Sequence, residues 1–223
     1  MRLGVLSDIH GNRVALEAVL DDMPAVDKLV CLGDVVGYNP WPAACVSRIR
    51  SAADVVLKGN HERMVRTPER YRHHETAYAG FVRAHEELTD GQFAWLDSLP
   101  KRTTIVDGQY RVAHSHPDPE FEDTYVRPPD FPNMRPYLDD YDGLFLGHTH
   151  IQHKETVDGR LVLNPGSVGQ PRDSDPTAAY AVVDTEERTA ELRRVEYDVE
   201  AVKARVQELD MPEETWARLE DGR

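Results

Sequence analysis

The feature that most constrains this chain is a recurring ending, in which short apolar stretches run directly into Asp, Asn or His. The first lies at the N-terminus, where Leu3 to Leu6 lead into Asp8 and His10. An unbroken apolar stretch of that length fits a strand covered on both faces, and parallel sheets of such strands carry functional groups at their carboxyl ends. Gly11 and Asn12 then form a turn, and Val14, Leu16, Ala18, Val19 and Leu20 fall at roughly helical spacing. Taken alone, Asp8 and His10 are ambiguous, because a carboxylate after a strand also serves as a helix cap.

The ending returns four more times. Lys28 to Leu32 lead into Gly33 and Asp34, Asp54 to Leu57 into Gly59, Asn60 and His61, and Tyr110 onward into His114. Gly143 to Gly147 lead into His148 and His150. Between these strands, Trp41 to Arg50 is expected as a helix opened by Pro40 and Pro42. Tyr71 to Leu99 is expected as two helices that bury Phe81, Leu88, Phe93, Trp95, Leu96 and Leu99, with Thr89 or Asp90 as a cap. Asp107-Gly108 and Asp158-Gly159 mark hairpin turns. Residues 115–142, rich in Pro, Asp and aromatics, predict a long loop or cap with a short helix near Met134 to Leu138. Ala179 to Val183 and Ala190 to Val195 predict an antiparallel pair, and Val199 to Leu209 an acidic helix. Residues 211–223 are expected to fray. The residues by themselves suggest one domain over 1–223, built on a plain parallel sheet.

Charge narrows the function. With 40 Asp and Glu against 26 Lys and Arg, the formal net charge is −14, which argues against long nucleic acid as a partner. The cations are 21 Arg and 5 Lys, a balance that fits either a salt-rich cytoplasm or an ordinary acidic protein. Cys31 and Cys45 form neither a disulfide framework nor a thiolate metal site. No basic-then-apolar leader and no apolar run of about 18 residues is present, so a cytoplasmic protein without membrane contact is expected.

Five strand ends would gather Asp8, His10, Asp34, Asn60, His61, His114, His148 and His150 at one rim. Each has a bland explanation alone, as a cap, a turn former or a hydrogen-bonded core imidazole. As a set they offer oxygen and imidazole donors without sulfur, which suits Mn²⁺, Fe or Zn²⁺. Two ions about 3.5–4 Å apart need a shared ligand, and a carboxylate is the natural bridge. Asp34 is the candidate. Two such ions would make a bridging hydroxide available near neutral pH, which implies attack on a phosphate ester. His61, next to Asn60, fits the general acid that protonates the leaving alkoxide.

The order Asp-x-His, Gly-Asp, Gly-Asn-His, a strand-end His and Gly-His-x-His resembles the calcineurin-like metallophosphoesterases, over Arg2 to about Val183. The loop from Asn164 to Arg172 looks like that of the small bacterial and archaeal phosphodiesterase branch, which includes the retromer scaffold subunit. The resemblance implies an α/β (α+β, four-layer) fold in which two mixed β-sheets pack as a sandwich flanked by α-helices. It also implies a first metal on Asp8, His10, Asp34 and His150, and a second on Asp34, Asn60, His114 and His148. Two divalent ions are expected, Mn²⁺ foremost, with Fe, Zn²⁺, Ni²⁺ or Mg²⁺ as the other candidates.

Asn12, Arg13, His116 and Arg172 are candidate substrate contacts, and His116 is also the alternative to His114 as a ligand. His73, His74, His85 and His153 fall outside the pattern and are expected on the surface or in packing. Gly33-Asp34 is followed by Val35, so the arginine that grips phosphate in the phosphoprotein and diadenosine-polyphosphate branch is missing. The expected activity is hydrolysis of a small phosphodiester. A phosphomonoesterase or nucleotide phosphatase, and a non-catalytic scaffold of the same fold, are the alternatives, and self-association of identical chains is left open.

Overall fold

The structure, a computed structural model, describes residues 1–223. Its ten strands are β1 (Arg2–Leu6), β2 (Lys28–Cys31), β3 (Val55–Val56), β4 (Arg102–Ile105), β5 (Tyr110–Ala113), β6 (Gly143–Phe145), β7 (His153–Val157), β8 (Arg160–Asn164), β9 (Ala178–Asp184) and β10 (Thr189–Val195). They form two five-stranded sheets, ordered β10-β9-β1-β2-β3 and β4-β5-β6-β8-β7. Both are mixed: β1, β2 and β3 run parallel while β9 and β10 are antiparallel, and β5, β6 and β8 run parallel between antiparallel β4 and β7. The plain parallel sheet expected from the residues alone is therefore corrected to a sandwich of two mixed sheets. The hairpins at Asp107-Gly108 and Asp158-Gly159 and the final pair β9–β10 supply the antiparallel members.

The apolar runs are unbroken because each strand is covered on both sides. Leu3 and Val5 point into the sandwich with Val30, Leu32, Phe145, Leu161 and Leu163. Leu6, Leu29 and Cys31, on the opposite face, pack under the helices α1 (Arg13–Asp22) and α2 (Pro42–Ala52). A fully buried Leu or Val contributes about 1.5–3 kcal/mol over an exposed one, so these short strands carry a large share of the stability. After β3 come α3 (Asn60–Met64), α4 (Glu75–Glu87) and α5 (Asp90–Ser98). α5 opens on a capping box in which Thr89 Oγ1 accepts from Gln92 N at 3.3 Å and Gln92 Oε1 accepts from Thr89 N at 3.0 Å.

Two expectations change. The segment 115–142, expected as a long loop or cap, packs as the fourth layer. Its 3₁₀ run extends over Pro128–Tyr137, longer than the short helix expected near Met134, and buries Phe131 and Met134 against Leu144, Leu146 and Val162 on the outer face of the second sheet. Residues 211–223, expected to fray, are instead pinned: after α6 (Val199–Glu208), α7 (Glu214–Ala217) seats Trp216 and Leu219 against Val202 and Val206. Leu219 and Thr215 are fully buried. No helix is long and apolar enough to cross a membrane.

Candidate metal centre

The carboxyl ends of β1, β2, β3, β5 and β6 converge on one rim, and the backbone there turns sharply. Asp8, His10, Asp34, His148 and His150 all hold left-handed φ values between 48° and 69°. For residues other than glycine this conformation costs about 1–2 kcal/mol each, and such strain persists where surrounding structure over-determines it. Here the turns lock one another: Asp8 N donates to Gly33 O at 3.0 Å, His10 N to Asp34 O at 2.9 Å, and His148 N to Asp8 Oδ2 at 3.0 Å.

The side chains meet in three groups whose ligand atoms lie within 4.8 Å of one another: Asp8, His10 and His150; His10, Asp34 and His61; and Asp34, His114 and His148. Asp34 Oδ2 sits 3.7 Å from His10 Nε2 and 3.4 Å from His114 Nε2, so one carboxylate oxygen faces two groups at once. Asn60 Oδ1 lies 3.1 Å from His114 Nε2. His116, the alternative to His114, belongs to none of these groups. Its ring packs between Phe121 and Tyr137, and its Nδ1 accepts from Asp118 N.

Backbone carbonyls settle which imidazole nitrogens carry protons, since a carbonyl can only accept. Nδ1 of His10 donates to Val36 O, that of His114 to Leu32 O and that of His150 to Gln170 O. The Nε2 atoms of these rings are left facing the cluster. His148 is reversed, donating Nε2–H to Asp123 O at 3.0 Å. Such second contacts fix the ring orientation of metal-binding histidines.

The donor set fits a cation. His10 Nε2 and His150 Nε2 point at each other across 3.0 Å, and Asp8 Oδ1 is buried without a hydrogen-bond partner. Lone pairs and a bare carboxylate oxygen in a dry site repel unless positive charge lies between them. Burial would raise the Asp8 and Asp34 carboxyls, but the neighbouring imidazoles, His150 for Asp8 and His114 for Asp34, hold both well below the ordinary range. Burial drives His10 down and takes His148 to about 4, in each case reinforced by a neighbouring histidine. On His114 burial is outweighed by the Asp34 carboxylate, and its pKa is pushed up to about 10.

His61 differs from the other clustered histidines in having no backbone carbonyl bonded to its ring. Its backbone N–H donates to Asp34 Oδ1 at 2.8 Å, and its ring lies against His10, Tyr38 and Phe81. Its Nδ1 is buried without a partner, and burial lowers its pKa to about 4 despite the opposing pull of Asp34. Gly37, at φ +96°, makes this packing possible, since a Cβ there would stand 2.1 Å from His61 Nδ1.

One residue with a structural hold on the site lies outside the residues picked out from the sequence. Glu62 is buried, and its carboxylate accepts from the N–H groups of Asp34, Val35, Val36 and Gly59 at 2.8–3.2 Å. Its spacing from Gly59 supplies only the return half of a capping box, since Gly59 has no side chain to accept a bond, and the three other donors come from the distant loop after β2. Glu62→Ala leaves four N–H groups unsatisfied and is expected to cost about 3 kcal/mol or more of unfolding free energy, measured by urea titration.

The candidate substrate residues divide. A cavity of about 230 Å³ opens over Asp34, Asn60, His61, His148 and His150, and Arg172 lines it. Arg172 donates to Tyr38 Oη and Gln170 Oε1 and pairs with no carboxylate. Asn12 is corrected to a structural role: it is fully buried, caps α1 through Ala15 N and donates to Gly169 O. Arg13 is exposed with its guanidinium 5.5 Å from the Trp41 ring, and it lines no part of the cavity. His73 and His74, placed outside the pattern, do line the cavity, whereas His85 bonds Val65 O and His153 packs on Phe131. A larger cleft of about 550 Å³, between α4 and the C-terminal segment, contains none of the clustered groups.

Residues 1–188 match the calcineurin-like phosphoesterase superfamily domain. A protein of Methanocaldococcus jannaschii with no assigned function is 32% identical over 99% of this chain and 98% of its own length. The crystal structure of a metallophosphoesterase from Sphaerobacter thermophilus superposes with a TM-score of 0.83, at 32% identity, over the whole of both chains. The phosphodiesterase YfcE of Escherichia coli is 27% identical over 83% of this chain and 89% of its own. The chain belongs to the calcineurin-like phosphoesterases, and its two mixed sheets flanked by helices are the fold of that family.

Proposed function

We propose that this protein hydrolyses a small phosphodiester with two divalent metal ions. The observation that carries the reading is Asp34, whose Oδ2 faces His10 on one side and His114 on the other. Asp8, His10, Asp34 and His150 would hold the first ion, and Asp34, Asn60, His114 and His148 the second. The nitrogen and oxygen donors, without thiolate, suit Mn²⁺. When bound, the ions supply an activated water and draw charge from the phosphoryl oxygens.

The chain's own groups do the rest. Arg172, free of any carboxylate partner, offers its guanidinium to a non-bridging phosphate oxygen. His61, held by Asp34 through its backbone and wedged between His10 and Phe81, presents its ring to the departing oxygen; neutral in the free site, it would take up a proton from solvent once the anionic phosphate lies beside it and give that proton to the leaving oxygen. Six hydrophobic side chains line the cavity, among them Met64, Tyr71 and Tyr125. They offer a surface to a second ester group, which favours a diester over a monoester.

The test is hydrolysis of bis-p-nitrophenyl phosphate and p-nitrophenyl phosphate by protein stripped of metal and resupplied with Mn²⁺. Mn²⁺-dependent turnover, faster on the diester and lost with EDTA, is the expected result. Faster turnover of the monoester would replace the reading with a phosphomonoesterase, and no turnover with Mn²⁺, Fe²⁺, Zn²⁺, Ni²⁺ or Mg²⁺ would leave a scaffold.

A further inference from the structure

One residue outside the ligand set touches all three elements that serve the second group alone. Asp123 accepts His148 Nε2–H on its carbonyl oxygen at 3.0 Å. Its own N–H donates to Oγ of Ser115, the neighbour of His114, at 3.0 Å. Its carboxylate takes Nη2 of Arg63 on both oxygens, 2.6 Å to Oδ1, and Arg63 Nη1 donates to Gly59 O at 3.2 Å, so that the pair grips the short helix bearing Asn60. Two residues on, Tyr125 stacks on the His148 ring at 4.4 Å and 12°. None of these hydrogen bonds reaches Asp8, His10 or His150. Asp123 itself turns the chain with a left-handed φ of 65°.

We propose that Asp123, tied to Arg63, is a positioning residue for the second metal ion alone, holding Asn60, His114 and His148 in register. The inference rests on the two-ion reading above. His148 can offer Nδ1 to the group it shares with Asp34 and His114 only while Nε2–H has an acceptor, and the Asp123 carbonyl is that acceptor. The carbonyl stays in place because the same residue is fastened at its N–H and its carboxylate. The first ion's ligands are fastened elsewhere, His10 to Val36 O and His150 to Gln170 O. Occupancy of the second position is thereby set separately from the first.

Two variants separate the charge pair from the turn. Asp123→Asn keeps a side chain that tolerates the left-handed turn, and Arg63→Met keeps an apolar stem of similar reach. The full chain, stripped of metal, is titrated with Mn²⁺ by calorimetry and followed by electron paramagnetic resonance. In both variants the first ion should bind as in the wild type, while the second binds about 10–100-fold more weakly. The signal of a spin-coupled Mn²⁺ pair should give way to that of isolated Mn²⁺ at concentrations that fill both wild-type sites. The double variant should be no weaker than the worse single one, since both remove one interaction. Equal weakening of both ions, or unchanged binding of both, overturns the inference. A wild type that binds fewer than two ions overturns the two-ion reading as well.

Discussion

Asp34→Asn should lower kcat/KM on an aryl phosphodiester by about a thousandfold or more, a loss of about 4 kcal/mol in transition-state stabilisation. The size of the effect follows from how the two carboxylate oxygens are used. Oδ1 accepts the backbone N–H of His61, while Oδ2 faces His10 and His114. An asparagine would keep its carbonyl oxygen toward the His61 N–H and turn its NH₂ group toward the two imidazoles. The shared position would then present a donor where an anion belongs, and both ions would lose a ligand together. The substitution is nearly isosteric, and Asn tolerates the left-handed φ of 53° at this position, so the fold should survive. Steady-state kinetics with metal content measured on the same samples decides the matter. Undiminished turnover by the variant would refute the assignment of Asp34.

The second large effect is expected at His61, and it should depend on the substrate. His61→Ala should lower kcat about 10²–10⁴-fold on a diester with an alkyl leaving group, whose alkoxide needs a proton as it departs. With p-nitrophenolate, which leaves as a stable anion, the loss should be much smaller. A series of leaving groups of rising basicity would measure this as a steeper rate dependence in the variant. The same loss for every leaving group would show that His61 acts in another way, for instance as the ligand that its approach to His10 and Asp34 within 4.8 Å also allows.

Much of this architecture is written locally in the chain. Leu3 to Leu6 and Leu29 to Leu32 are apolar without alternation because both faces are covered, and a buried strand shows that in its own composition. Asp107-Gly108 and Asp158-Gly159 mark hairpins because left-handed turns favour those residues, and β4–β5 and β7–β8 form around them. Residue types able to bind metal follow each strand immediately, so Asp8, His10, Asp34, Asn60, His61, His114, His148 and His150 stand out in the sequence alone.

Other features have no local signature. A terminal segment with only Met211, Trp216 and Leu219 as large apolar residues reads as one that frays, and its seat against Val202 and Val206 depends on where α6 lies. Asn12 and Arg13 look equally able to reach a phosphate, yet the first is consumed as the cap of α1 and the second is exposed beside Trp41. His73 and His74 carry no motif and still line the cavity, because α4 begins beside it.

Composition and spacing thus mark which stretches become strands and which residues carry atoms that could bind metal, because each depends on neighbours in the chain. The pairing of those atoms is another matter. Asp8 meets His150, and Asp34 meets His114, across 142 and 80 residues of sequence. Contacts of that separation are selected by the packing of one sheet on the other and by clamps such as Glu62 on the Asp34 loop. No periodicity records them, so only the folded chain decides that Asp34 stands between the two groups and that Asp123 serves one of them.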